Sequence, residues 1–175
     1  MYIQAFTDGA CKGNPGIGGW GWVAYFKNKD TTPIRFDNWG GLKYTTNQKM
    51  ELIAVKEFLA FCPKGNRIDV WTDSKYVLGG IVGACPRDSD KQSKLVKVHK
   101  DPQGWMKKWK NNKGQCLNNY WNKKDLKNST EWYHIHRQLL LHYEHGSVIS
   151  FGWVKGHSGN TGNEIADGLA NRYTL

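Results

Sequence analysis

The chain has 175 residues, 39% of them hydrophobic and 13% aromatic, which is enough for a buried core and too apolar for a disordered tail. No apolar run approaches a membrane span, no basic stretch leads into an apolar one at the N-terminus, and the four cysteines (Cys11, Cys62, Cys85, Cys116) fit no zinc spacing; reduced thiols in a cytosolic or nuclear compartment are expected, with the cytoplasm as the first choice. Lys and Arg number 25 against 15 Asp and Glu, and the net charge of +10 favours a polyanionic partner.

The first element is a strand. Tyr2-Ile3-Gln4-Ala5-Phe6-Thr7 is rich in β-formers and runs into Asp8, after which Gly9, Gly13-Asn14-Pro15-Gly16 supply turn residues. Asp8 is thus either a turn residue or a carboxylate at the carboxyl end of a strand, where open α/β sheets place their ligands. Residues 18–26 and 34–40 continue as antiparallel strands. Thr45-Thr46-Asn47-Gln48 offers N-cap chemistry, and from Lys49 the spacing of Met50, Ile53, Ala54, Phe58 and Phe61 predicts a helix ending before Pro63. Glu51 falls near the start of that helix, on the face of Ala54, Val55 and Phe58; an acid in a first turn also suits the helix dipole.

Residues 67–73 form the next strand, and its ending Trp71-Thr72-Asp73 repeats Phe6-Thr7-Asp8. In each, the Asp shares a face with the aromatic two residues earlier. A strand, a helix and a strand predict a parallel pair, which would set Asp8 and Asp73 side by side, an arrangement that is costly without a cation between them. Ser74 starts a short helix that Gly79-Gly80 should stop. Residues 81–103 read as a surface excursion with a short helix at 91–99, and 104–128 as a basic protrusion. Eleven lysines, with Asp101 and Asp125 as the only acids, lie between Lys91 and Lys127. Trp105 and Trp109 stand one helical turn apart: they either pack a helix on the core, with Lys107, Lys108 and Lys110 solvated, or support a nucleic-acid strand whose phosphates those lysines follow. The localised charge favours the second reading. A helix from about Ser129, a last strand at 147–154, a Gly-rich loop carrying His157, and a helix from Thr161 or Gly162 complete the chain. Asn163 and Asp167 share a face of that last helix.

Asp8, Glu51, Asp73 and Asp167 are the collected carboxylates. Hard divalent cations take oxygen ligands, and two of them about 3.5–4 Å apart can clamp the attacking and leaving oxygens of a phosphodiester. Asp8, on the central strand, is the candidate for the shared ligand. His157 is either surface or, with its near-neutral pKa, a proton shuttle beside such a site.

These segments together resemble type 1 ribonuclease H over nearly the whole chain. The resemblance rests on Thr7-Asp8-Gly9-Ala10-Cys11-Lys12-Gly13-Asn14-Pro15-Gly16, Thr45-Thr46-Asn47-Gln48-Lys49-Met50-Glu51-Leu52, Thr72-Asp73-Ser74-Lys75-Tyr76-Val77, Trp153-Val154-Lys155-Gly156-His157-Ser158-Gly159-Asn160 and Gly162-Asn163-Glu164-Ile165-Ala166-Asp167. It implies an α/β ribonuclease H-like fold, a five-stranded mixed sheet of order 3-2-1-4-5 flanked by helices. It also implies Mg²⁺-dependent cleavage of the RNA strand of RNA–DNA hybrids, with two ions and Mn²⁺ as a substitute, leaving 5′-phosphate and 3′-hydroxyl ends. The family's metal-binding carboxylates fall on Asp8, Glu51, Asp73 and Asp167, and its auxiliary histidine on His157. Asn14, Asn47 and Gln48 match groove-reading positions, where 2′-hydroxyls mark RNA; Thr46 matches a DNA-phosphate contact; Trp105 and Trp109 match the basic protrusion; and Asn163 joins the substrate-binding set.

Two departures stand out. Gln48 replaces a shorter Asn, and 81–103 lengthens the approach to the protrusion. The chain is expected to be one self-sufficient domain over 1–175, since no hybrid-binding module precedes Met1, with a monomer as the default and no membrane partner. A polynucleotidyl transferase of the integrase or resolvase kind and a non-catalytic hybrid-binding module are the alternatives. The Asn-rich groove readers and the protrusion weigh against the first, and the full carboxylate set against the second.

Overall fold

The structure, a computed structural model, describes residues 1–109, 121, 123 and 125–175. Three antiparallel strands open it: β1 (Tyr2–Cys11), β2 (Gly16–Lys27) and β3 (Ile34–Thr45). There follow α1 (Asn47–Phe61), β4 (Arg67–Thr72), α2 (Lys75–Ile81), β5 (Val96–Lys97), α3 (Trp105–Trp109), α4 (Ser129–Glu144), β6 (Val148–Trp153) and α5 (Thr161–Asn171), closed by a 3₁₀ turn over Arg172–Thr174. The sheet order is β3-β2-β1-β4-β6-β5, with β1, β4 and β6 parallel at its centre.

Strand alternation divides the core into two layers. Ile3 and Ala5 of β1, Trp22 and Ala24 of β2, and Ile68 and Val70 of β4 face α1, α2 and α4 in the larger cluster, which includes Leu52, Phe58, Trp132 and Ile135. Phe6 and Val23 face Ala166 and Leu169 of α5 on the other side, with Tyr25 and Trp71 packed against them. Phe6 and Trp71 therefore lie on the α5 side, and so do the next positions of the same parity, Asp8 and Asp73.

The sheet has six strands where five were expected, and the added one falls where 91–99 was expected to be helical. Residues 86–94 fold back on themselves through Arg87–Ser93 pairing and the Lys94 N–H to Pro86 carbonyl bond. The chain then pairs Val96 with Phe151 and Lys97 with Ser150, extending the sheet beyond β6. The last strand of the expected order is thus β6 in the chain. Helix α2 does not stop at Gly79-Gly80 but runs through Ile81, because those glycines are buried beneath aromatic rings. A Cβ on Gly79 would meet the Trp105 indole at 2.6 Å, and one on Gly80 would collide with Trp132. Bulk against that face, which glycine avoids, outweighs its weak helix propensity.

Candidate active site

Register builds the site. Parallel pairing of β1 and β4 ends at Thr7 opposite Thr72, so Asp8 and Asp73 are the next residues on adjacent strands, as the repeated ending implied. Asp8 is buried; Asp73 is half-buried immediately beyond β4. Glu51 comes from the opposite layer. Helix α1 begins at Asn47, capped by the Thr46 hydroxyl, which accepts the Lys49 N–H at 3.3 Å. Glu51 therefore stands beyond the first turn, which holds no acid, and the dipole explanation for it falls away.

One oxygen each from Asp8, Glu51 and Asp73 can lie within 4.8 Å of the others, a group able to hold a metal ion. Asp167, on α5, stands near enough for its charge to act on both Asp8 and Asp73. Burial and the Asp73 charge push Asp8 up to about 8, against a hydrogen bond from the Gly9 N–H to its Oδ1 at 2.8 Å. Burial, then the charges of Asp8 and Asp73, hold Glu51 well above the carboxylate range, while Ser74 opposes them. Burial and Asp167 raise Asp73, with the Asn163 amide and His157 pulling it down. Two buried polar atoms here lack hydrogen-bond partners among the described residues: Glu51 Oε2 and Asn163 Nδ2, the latter close to Asp73 without completing a bond of good geometry. An all-oxygen donor set, crowded enough to retain protons and carrying an orphaned carboxylate oxygen, fits a hard divalent cation.

The remaining expected residues fall into three places. His157 is exposed in the loop after β6 with φ of 53°, and it acts on Asp73 electrostatically. Asn14, Thr46, Asn47 and Gln48 gather at the N-terminus of α1, where Asn14 Oδ1 accepts the Asn47 N–H at 3.0 Å. On α3, Lys107 and Lys108 are exposed and Met106 is buried. Trp109 packs edge-on to Trp132 at 5.7 Å and Trp121 at 6.3 Å, while Trp105 stays 42% exposed beside Tyr76. Trp109 therefore serves the core, as the packing reading of this pair expected, while Trp105 keeps an exposed edge. Lys110 lies outside the described residues.

Gly9, expected in a turn after Asp8, instead lies within β1, which runs on to Cys11 and keeps pairing with β2. It has the parity of the α1 side, and a Cβ there would stand 2.9 Å from Glu51 Cα. Its only sequence signal is its place directly after Asp8.

A mixed sheet ordered 3-2-1-4 with carboxylates converging over its central strand ends defines the ribonuclease H-like class of α/β nucleases. The RNase H family model matches residues 2–174, and the chain belongs to the RNase H family. It is similar to the ribonuclease H of Francisella tularensis subsp. novicida (strain U112), 38% identical over 170 residues, covering 97% of this chain and 89% of that protein. It is also similar to that of Stutzerimonas stutzeri (strain A1501), 34% identical over 171 residues, 98% of this chain and 90% of the other. Among solved structures, LC9-RNase H1, a type 1 RNase H with the type 2 active-site motif, superposes with a TM-score of 0.66 at 23% identity, over 97% of this chain and 70% of that one; this likeness is one of fold. Family membership makes the protein a hydrolase of the ribonuclease H kind. Among the described residues, no helix is long and apolar enough to cross a membrane.

Proposed function

We propose that the protein is an endonuclease that hydrolyses the RNA strand of RNA–DNA hybrids, acting as a cytoplasmic monomer through a single domain over 1–175. The observation that carries the reading is the carboxylate group of Asp8, Glu51 and Asp73, with Glu51 Oε2 buried and unpartnered. Asp8, Glu51, Asp73 and Asp167 would hold two Mg²⁺ ions, or Mn²⁺, with Asp8 shared between them. Such ions supply positive charge to the attacking and leaving oxygens of an in-line displacement.

The protein's own groups do the rest. The Asp8 and Asp73 carboxylates, fixed by strand register, orient the water that attacks phosphorus. His157, beside Asp73, carries a proton to the departing O3′, so that the P–O3′ bond breaks to leave 5′-phosphate and 3′-hydroxyl ends. Asn14, Asn47 and Gln48 at the start of α1 face the groove where 2′-hydroxyls distinguish RNA, and Thr46 meets a phosphate of the DNA strand. Trp105, Trp109, Lys107, Lys108 and Lys110 carry the adjoining duplex, and Asn163 orients Asp73 and the scissile phosphate.

Incubation with end-labelled RNA–DNA hybrid, duplex RNA and duplex DNA in Mg²⁺ tests this. Only the RNA of the hybrid should be cut, giving 5′-phosphate ends. Equal cutting of duplex DNA would point to the transferase-like alternative, and binding without cutting to the non-catalytic one.

A further inference from the structure

The excursion after α2 builds a second feature near the end of β4. Ser93 grips Trp153 from both sides: the Ser93 N–H donates to the Trp153 carbonyl at 2.9 Å, and its Oγ accepts the Trp153 N–H at 2.8 Å. The Lys155 N–H adds a bond to the Lys91 carbonyl at 2.8 Å. This clamp sets the Arg87 guanidinium 5.2 Å from the centre of the Trp153 ring, and Lys75 Nζ lies 6.0 Å from the same ring. Between them opens a cavity of about 440 Å³, floored by Leu78 and Gly79 and walled by Trp105 and Trp153.

Its position is fixed by the same register that builds the active site. Trp153 pairs with Thr72, the residue before Asp73, and Lys75 is two residues after Asp73. The cavity therefore lies on the side of β4 away from β1, in the layer of α2 and α3, near the strand end that leads into Asp73. Arg87 and Lys75 are exposed, and neither forms an ion pair with an acid among the described residues. Two indoles and two free cations around a space in the range of small-molecule sites (about 300–1,000 Å³) match the chemistry of one nucleotide: a base that stacks and a phosphate that takes positive charge. A base inside a duplex has both faces covered by its neighbours. The nucleotide that suits this cavity is an unpaired one.

We propose that the cavity receives an unpaired nucleotide from a single-stranded tail continuing out of the hybrid, its base against Trp153 and Trp105 and its phosphate against Arg87 and Lys75. The inference rests on the hybrid-cleaving reading, since the active site must hold the duplex for the tail to reach the cavity. It gives the chain between α2 and α3 a role: recognition of hybrids that end in a single-strand junction.

The test uses the full chain in EDTA, so that binding is measured without cleavage, by anisotropy of a labelled blunt hybrid and of hybrids carrying a three-nucleotide tail at each of the four strand ends in turn. A tail at one end should tighten binding about tenfold, within the range of one stacked base. Arg87→Ala should remove that gain and leave blunt-hybrid binding within about twofold, as expected for a side chain outside the duplex path. Adenosine monophosphate, added in excess, should compete away the tail gain alone. No gain from any tail, a gain that survives Arg87→Ala, or quenching of tryptophan fluorescence by the free nucleotide without any tail gain would each overturn the proposal. Blunt hybrid that binds without a tail effect refutes this inference only, whereas blunt hybrid that fails to bind refutes the hybrid reading beneath it.

Discussion

Gly9 and Glu51 touch backbone to backbone: a Cβ on Gly9 would stand 2.9 Å from Glu51 Cα. That approach lets a carboxylate from the helical layer join Asp8 and Asp73, which belong to the opposite face of the sheet. Gly9→Ala should therefore push α1 away and move Glu51. The contact is with main chain, which cannot swing aside, so a loss of about 1–3 kcal/mol in stability is expected alongside it. Displacement of a ligand by even about 1 Å should lower kcat by roughly 100-fold. Thermal unfolding and steady-state cleavage, measured on the same preparation, check both; full activity would show that Glu51 is not needed in its observed place.

Asp8→Asn separates chemistry from stability. Turnover should fall at least about 10³-fold, the scale of removing an electrostatic group central to a transition state. Stability without metal should move the other way. Asp8 is pushed up to about 8 from its ordinary value of 3.8, so between those values the folded state binds more protons than the unfolded state and stability falls as pH rises. An uncharged side chain escapes that penalty. Metal-free Asp8→Asn should thus be more stable at pH 8 by roughly 1–3 kcal/mol, with the gain disappearing below about pH 4. Denaturant titration in EDTA at pH 4, 6 and 8 reads the difference, and a gain independent of pH would refute the electrostatic origin.

The same protons couple metal binding to pH. Burial, together with mutual charge, raises Asp8, Glu51 and Asp73, so a cation must displace protons to bind. Calorimetric titration with Mg²⁺ near pH 7, in buffers of different ionisation enthalpy, should show about one proton released per site filled, and affinity should weaken as pH falls from 8 to 6. Binding heat that does not vary with the buffer would contradict the protonated cluster.

Much of this arrangement was legible in the residues. The repeated Phe6-Thr7-Asp8 and Trp71-Thr72-Asp73 endings carried both the shared face and the parallel register, because side-chain alternation and strand adjacency are local consequences of pattern. The sixth strand was not legible: β5 spans two residues, and its partners Ser150 and Phe151 lie more than fifty positions later. No local period encodes such a pairing. Gly79-Gly80 misled for a related reason. Two helix-weakening residues are tolerated there because Trp105 and Trp132, remote in sequence, occupy the space their side chains would have filled. Cationic residues fared similarly: Arg87 gains meaning only once Ser93 fixes it over Trp153.

Asn14 holds the start of α1. Its Oδ1 accepts the Asn47 N–H at 3.0 Å, so Asn14→Ala should cost about 0.5–1.5 kcal/mol and loosen the cluster of Asn14, Asn47 and Gln48. Asn14→Asp keeps the acceptor oxygen but replaces the amide donor with charge. If the amide reads the groove, Asp should recover the stability and not the affinity for hybrid. Recovery of both would assign Asn14 to capping alone.

The lysines of the protrusion offer a test through salt. Lys107 and Lys108 project from α3 while Met106 and Trp109 pack inward, so substitution at the lysines need not disturb the core. Each phosphate neutralised adds about 0.9 to the slope of log K against log salt on B-form DNA, a little less on a single strand. Replacing Lys107, Lys108 and Lys110 with Ala should therefore reduce the slope for hybrid binding by about 2–3 and weaken binding most at low salt, with kcat at saturating substrate nearly unchanged. An unaltered slope would place these side chains on ordinary solvated surface, and the adjoining tryptophans would then be read as core packing only.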